Sequence, residues 1–198
     1  MQNKSKLDPR IRRTRRFIRE AFISLLEEKD FNKISIHELT KRADINRVTF
    51  YLHYKDINDM VESIFDELLS DIESILSNQG NNVDELKSLV LLLEHIADNA
   101  HLYKLLLVSK NIQFFTPRLM ELLHRLILNN TEEITVKKAE SVPAMNIPRD
   151  IAAWYGTSAI VGTISLWLGN DMPYSPKFLA EQMVMLNPLQ SSRKNITY

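Results

Sequence analysis

The sequence predicts an all-helical protein of two modules, a small basic one followed by a larger acidic one. Three observations predict it. Helix-start signals recur along the 198 residues, each followed by apolar side chains at helical spacing. Only 4 glycines are present, too few for a phosphate loop, a dinucleotide fold or a turn-rich barrel, and no convincing strand or internal repeat is visible. The charge is also uneven. Lys+Arg and Asp+Glu number 25 each, yet residues 1–55 carry 14 basic and 7 acidic side chains, net +7, which leaves −7 for the rest. Such a split suggests a basic module that meets a polyanion, the bland alternative being a solubilising end.

Each helix has a readable start. Asp8-Pro9 supplies an N-cap and an N1 proline. Ile11, Ile18, Phe22 and Leu25 then recur at helical spacing, so a first helix is expected to about Lys29. Ser35 and Glu38 form a capping box for a short second helix ending near Arg42. Asn46 can cap a third, from Arg47 to about His53. Asp56, with Asp59 three later, opens a long fourth helix to about Leu76. After a polar turn at 77–82, Asn82 and Glu85 start a fifth helix to about Asn99, and an apolar segment runs from His101 to Val108. Thr116-Pro117 opens a helix through about Ile134, and 137–148 read as a loop. Pro148 begins an apolar helix to Leu168, stopped by Gly169-Asn170. Ser175-Pro176 opens a last helix to about Leu186.

Several functions are disfavoured by the residues. With no cysteine there is no thiol nucleophile, Cys-ligated zinc or disulfide framework. The histidines at 37, 53, 95, 101 and 124 form no zinc-hydrolase spacing, Gly-x-Ser-x-Gly is missing, and Glu132-Glu133 reads as a solvated pair. Neither enzymatic activity nor a cofactor or metal is expected. No secretory signal is seen, and the longest uninterrupted apolar stretches, Leu89–Leu93 and Leu105–Val108, fall far short of a membrane span. The expectation is a cytoplasmic protein without a membrane partner.

The basic module reads as a helix-turn-helix. Two short helices joined by a tight turn and propped by a preceding helix make this unit. Leu39 and Ala43 supply an inward anchor, and Asp44 can take the left-handed backbone that the turn wants. In the third helix Phe50 and Tyr54 lie four apart and can pack inward with Ile45. The reverse orientation, with Val48 and Leu52 inward, satisfies the same periodicity.

Residues 43–56, Ala-Asp-Ile-Asn-Arg-Val-Thr-Phe-Tyr-Leu-His-Tyr-Lys-Asp, resemble the signature of TetR-type transcriptional regulators, roughly Ala-Gly-Val-Ser-x-Gly-Thr-Phe/Leu-Tyr-x-His-Phe followed by a basic residue. The resemblance is specific over about residues 10–70 and rests on an all-helical layout beyond. Asp44 stands where the family usually has glycine, and Val48 replaces a common small residue. The resemblance implies an N-terminal three-helix DNA-binding domain over 8–68, with the helix-turn-helix at about 34–53. It also implies a helical regulatory and dimerisation domain over 69–187, followed by a polar tail at 188–198. Phe50 and Tyr54 are then inward, and Val48 and Leu52 lie near DNA, where an apolar side chain can touch a thymine methyl. Arg47 is the best candidate for a bidentate contact to guanine, a phosphate clamp being its alternative. Thr49, Tyr51, His53 and Lys55 suit phosphate or nearby DNA, as do His37 and the cap residues Ser35 and Asn46. The arginine run from Arg10 to Arg19 reads either as a solvated face or as a source of counterion release.

The same resemblance implies a homodimer on a near-palindromic duplex operator, most simply a repressor, with an activator as the variant reading. The dimer helices would contribute Trp154, Gly156, Ala159, Gly162, Leu166, Phe178 and Met183. It further implies an unidentified small-molecule effector, for which His95, Tyr103, Phe114, Phe115, His124 and Trp154 are candidate pocket residues. The fourth helix belongs to both modules and would be the lever between them. The rival from another class is a helical interaction protein whose basic end meets an acidic protein or membrane surface.

Overall fold

A computed structural model describes residues 8–77, 85–108, 112, 114–137 and 148–186, and among these there is no strand. The helices are α1 (Pro9–Glu28), α2 (Ile36–Arg42), α3 (Arg47–Tyr51), α4 (Ile57–Ser77), α5 (Glu85–Asp98), α6 (Ala100–Leu107), α7 (Phe115–Lys137), α8 (Arg149–Gly169) and α9 (Pro176–Leu186). A 3-10 turn, Phe31–Lys33, follows α1 and is not apparent from the periodicity. Most of the expected turn at 77–82 with its Asn82 cap, most of the 137–148 loop, and the 188–198 tail lie outside the described residues. The chain forms two compact units, residues 1–68 and 69–198.

The helix starts follow the capping chemistry of the sequence. Asp8 Oδ1 accepts the Arg10 N–H at 2.8 Å, with Pro9 in the first turn. Ser35 and Glu38 close a complete capping box on α2. Asn46 Oδ1 accepts the Val48 N–H at 2.8 Å. Asp56 Oδ1 accepts the Asp59 N–H at 2.9 Å, and the Asp59 carboxylate accepts the Lys55 N–H at 2.8 Å.

In the first unit α1 packs on α2 and α2 on α3. Its core is Ile18, Phe22, Leu25 and Leu26 of α1, Leu39 and Ala43 beside the turn, Phe50, Tyr54, and Met60, Val61, Ile64 and Phe65 of α4. Two ion pairs join α1 and its C-cap to α2. Arg42 makes a bidentate pair with Glu28, at 2.9 Å for each bond, and Lys29 Nζ meets Glu38 at 2.6 Å.

In the second unit α7 packs along α8, α5 along α9, and α6 against both α7 and α8. Leu92, Leu93, Ile96, Leu102, Tyr103, Phe115, Leu119, Ile164, Trp167 and Leu168 lie in its core. Trp167 Nε1 donates to the Tyr174 carbonyl at 2.9 Å, fixing the corner before α9.

The end of α8 differs from its expected stop. Gly169 is still helical, and Asp171 (φ 57°) takes the left-handed position. The Asp171 N–H bonds to Leu168 O at 3.1 Å and the Met172 N–H to Trp167 O at 2.8 Å, the two bonds of a Schellman motif. The reading of short apolar stretches also needs amendment. The 21-residue α8 is long and apolar enough to cross a membrane by length and composition. Threonine, serine and glycine interrupt its apolar runs without making the whole polar. Here its Ala153, Thr157, Val161, Ile164 and Trp167 side is buried within the second unit.

Candidate nucleic-acid interface

The turn between α2 and α3 is set by backbone chemistry. Asp44 has φ 52°, the left-handed conformation expected of it. The Asp44 N–H reaches Lys41 O at 3.3 Å and the Ile45 N–H reaches Thr40 O at 3.0 Å. This is a second Schellman motif, with aspartate where glycine is the easiest fit. Asn46 then restarts the chain as α3.

The third helix is shorter than its spacing suggested. Regular α-helix stops at Tyr51, and the Leu52, His53 and Tyr54 N–H groups bond back to Val48 and Phe50 carbonyls as the chain leaves it. Phe50 is wholly buried and Tyr54 nearly so, their rings 5.7 Å apart. Val48 and Leu52 are 67% and 77% exposed. The two orientations that periodicity left open are thereby resolved in favour of Phe50 and Tyr54 inward.

The remaining candidates are disposed around α3. Arg47 is exposed, and its guanidinium lies 5.5 Å from the Tyr51 ring centroid with Nη2 donating to Tyr51 Oη at 3.1 Å. Thr49 and His53 are half-buried, while Asn46, Tyr51, Lys55 and His37 are exposed. Burial and the neighbouring Arg15 charge hold His53 below the usual histidine range. The Ser35 hydroxyl is occupied locally, donating to the Glu38 carboxylate at 2.8 Å and accepting the Glu38 N–H at 3.3 Å. The Lys29 ammonium first, then the Ser35 hydroxyl and the Ser35 N–H, which donates to the same carboxylate at 3.2 Å, lower the Glu38 pKa to about 2.

One arginine of the basic run has a place that the run itself did not suggest. Arg15 stacks 5.6 Å from the Tyr54 ring centroid and pairs with Glu67 of α4 at 3.3 Å, and its Nε is buried without a hydrogen-bond partner. The signal was present in the spacing. Arg15 falls four residues after Ile11 and three before Ile18, on the apolar stripe of α1 rather than opposite it. Arg13 and Arg16 instead lie over the Phe17 ring.

In the second unit the structure gathers three of the six proposed pocket residues. His95 Nε2 and Tyr103 Oη are 3.0 Å apart, and the Tyr103 ring meets Phe115 edge-on at 6.1 Å. His124 is half-buried, whereas Phe114 and Trp154 are exposed. Thr157, which the sequence reading did not single out, has a buried hydroxyl without a hydrogen-bond partner.

Among the proposed dimer residues, Trp154, Ala159, Gly162 and Leu166 form one exposed stripe of α8, extended by Ile151 and Tyr155. Gly156 is half-buried; a Cβ there would lie 3.5 Å from Ile127 Cδ1 of α7. Nothing lies within 4 Å of a Cβ built at Gly162. Phe178 is exposed and Met183 half-buried.

Comparison with known proteins places this architecture. Residues 84–187, more than half of the chain, match the TetR-class family described as "Transcriptional regulator C-terminal region". The chain belongs to the TetR family of transcriptional regulators. A TetR regulator structure from Streptococcus agalactiae 2603V shares 27% identity and a TM-score of 0.64, covering 93% of this chain and 99% of that one. The HTH-type regulator YxbF of Bacillus subtilis strain 168 is 23% identical over 189 residues, 92% of this chain and 47% of its own length. DhaS, an HTH-type activator of the dhaKLM operon in Lactococcus lactis, is 25% identical over 103 residues, 52% of this chain and 54% of its own. The chain spans about half the length of these curated relatives. TetR-family regulators bind DNA as dimers and bind small-molecule effectors. The all-helical layout with its N-terminal helix-turn-helix agrees with this membership.

Proposed function

We propose that this TetR-family chain is a sequence-specific DNA-binding regulator of the bacterial cytoplasm that acts as a homodimer on a near-palindromic operator and responds to a small molecule. The observation that carries the reading is the division of α3 into two faces. Phe50 and Tyr54 anchor it, while Arg47, Val48, Tyr51 and Leu52 point to solvent within a segment of net positive charge. Arg47 and Tyr51 bring a guanidinium and a phenol together, donors that suit a single phosphate group.

The exposed apolar stripe of α8 supports a dimer. One side of this helix is satisfied inside the second unit, and the other presents Trp154, Tyr155 and Leu166 to solvent. The half-buried His95 beside the buried Tyr103, together with the buried Thr157 hydroxyl, supports an effector site that needs both apolar contact and hydrogen bonds. We favour repression, the simplest outcome of a dimer occupying promoter DNA, while its relative DhaS is an activator. A reporter assay with and without this protein distinguishes the two by the sign of the change.

The test is selection of purified protein against random duplex DNA. A two-fold-symmetric motif with half-sites about one turn apart is expected. Arg47→Ala and Tyr51→Phe should then weaken binding to all sequences alike. Recovery of no motif, with binding that vanishes at moderate salt, would overturn the reading and leave only charge attraction.

A further inference from the structure

We infer that each half-site is recognised through thymine methyl groups packed against Val48 and Leu52, with Arg47 engaged on the DNA backbone. The inference rests on the reading of α3 as the DNA-facing helix and specifies what that face recognises.

Val48 and Leu52 are four residues apart, so they lie side by side on the outward face. Both are largely exposed, and neither contributes to the core below them. The neighbours do not offer a better reader. The Arg47 guanidinium lies over Tyr51 and already donates to its hydroxyl, which draws it along the helix toward a group suited to phosphate. The Asn46 side-chain oxygen is taken by the Val48 N–H. Thr49 is half-buried. Beside the Arg47–Tyr51 pair the outward face of α3 and its C-cap is aliphatic, with Val48 and Leu52 more exposed than Tyr51.

An aliphatic pair finds one apolar partner among the base edges of a major groove. Thymine alone of the four bases carries a methyl there, and the other edges present hydrogen-bond donors and acceptors. Seating Val48 or Leu52 on a cytosine amine or a guanine carbonyl would desolvate that group without replacing its bond. The aliphatic face thus favours a thymine at its contact positions and disfavours G·C pairs there.

The experiment uses the full-length protein and the site recovered by selection. Each thymine is replaced in turn by deoxyuridine, which removes only the methyl, and affinity is measured at fixed salt. At one or two positions per half-site, uridine should weaken the wild-type protein about three- to fivefold, as expected for one buried methyl. Val48→Ala or Leu52→Ala should abolish the difference between thymine and uridine at its own position, with the helical circular dichroism unchanged. A recovered site insensitive to every uridine replacement overturns the methyl contact and leaves the regulator standing. So does sensitivity that is the same in wild type and both variants, since it would then reside in DNA shape. Failure to recover any site overturns both.

Discussion

The guanidinium of Arg15 sits over the ring of Tyr54, 5.6 Å from its centroid, while its Nη1 reaches Glu67 at 3.3 Å. Three segments meet at this one side chain: α1, the exit from α3, and α4. Arg15→Ala should lower the stability of the first unit by about 1–2 kcal/mol through lost stacking and packing. Glu67→Gln should cost less, about 0.5 kcal/mol, because that pair is partly solvated. Urea unfolding of both variants checks the order.

Glu38 makes the first unit sensitive to acid. Its folded pKa of about 2 lies below the ordinary value of 4.5, so the unfolded chain takes up the proton first. The stabilisation is present above about pH 4.5 and is lost as pH falls toward about 2. Glu38→Gln should flatten this part of the stability profile. Ser35→Ala should cost about 1 kcal/mol near neutrality through loss of the helix cap. Thermal melts across the acid range distinguish the two effects.

Asp44 holds a left-handed backbone in the turn between α2 and α3. Asp44→Gly should therefore stabilise the unit by about 0.5–1 kcal/mol, and Asp44→Ala should destabilise it by a similar amount. Chemical denaturation of the pair gives opposite signs if backbone conformation is the cause.

The two tryptophans offer a readout for assembly. Trp167 is buried with its indole N–H bonded to Tyr174, whereas Trp154 is 57% exposed. In a dimer built on α8, Trp154 leaves water, so its fluorescence should shift to the blue as protein concentration rises. Leu166→Glu should abolish the shift and yield a monomer in analytical ultracentrifugation, because it places charge on the shared stripe. Loss of the shift without a change in mass would remove Trp154 from the interface.

Much of the fold was legible because helix starts are local chemistry. Asp8, Ser35, Asn46 and Asp56 each bond N–H groups two or three residues away, so no distant contact is needed to recognise them. Helix ends were harder. The sequence pointed to Gly169-Asn170, and Asn170 is indeed the C-cap of α8, but the left-handed position falls on Asp171, φ 57°, and not on the glycine. The orientation of α3 could not be settled from eight residues of periodicity, since Phe50 with Tyr54 and Val48 with Leu52 fit it equally. The core into which Phe50 and Tyr54 fit comes from α1 and α4, many residues away in the chain. Arg15 was hidden for a different reason: within a dense arginine run, charge obscured its place on the apolar stripe. The gathering of His95, Tyr103 and Phe115 also required the tertiary fold, as α5, α6 and α7 each supply one ring.

The separation of faces on α3 has an evolutionary consequence. Its fold is secured by Asn46, Phe50 and Tyr54, and positions 48 and 52 are not part of that fastening. Alanine, valine and leucine can be exchanged there with little effect on the scaffold. With Val48 and Leu52 as the proposed contacts to thymine methyls, new operators can be acquired through small steps in side-chain size, each altering binding modestly while the helix stays in place. A lineage carrying this arrangement can diverge among promoters without passing through an unfolded ancestor.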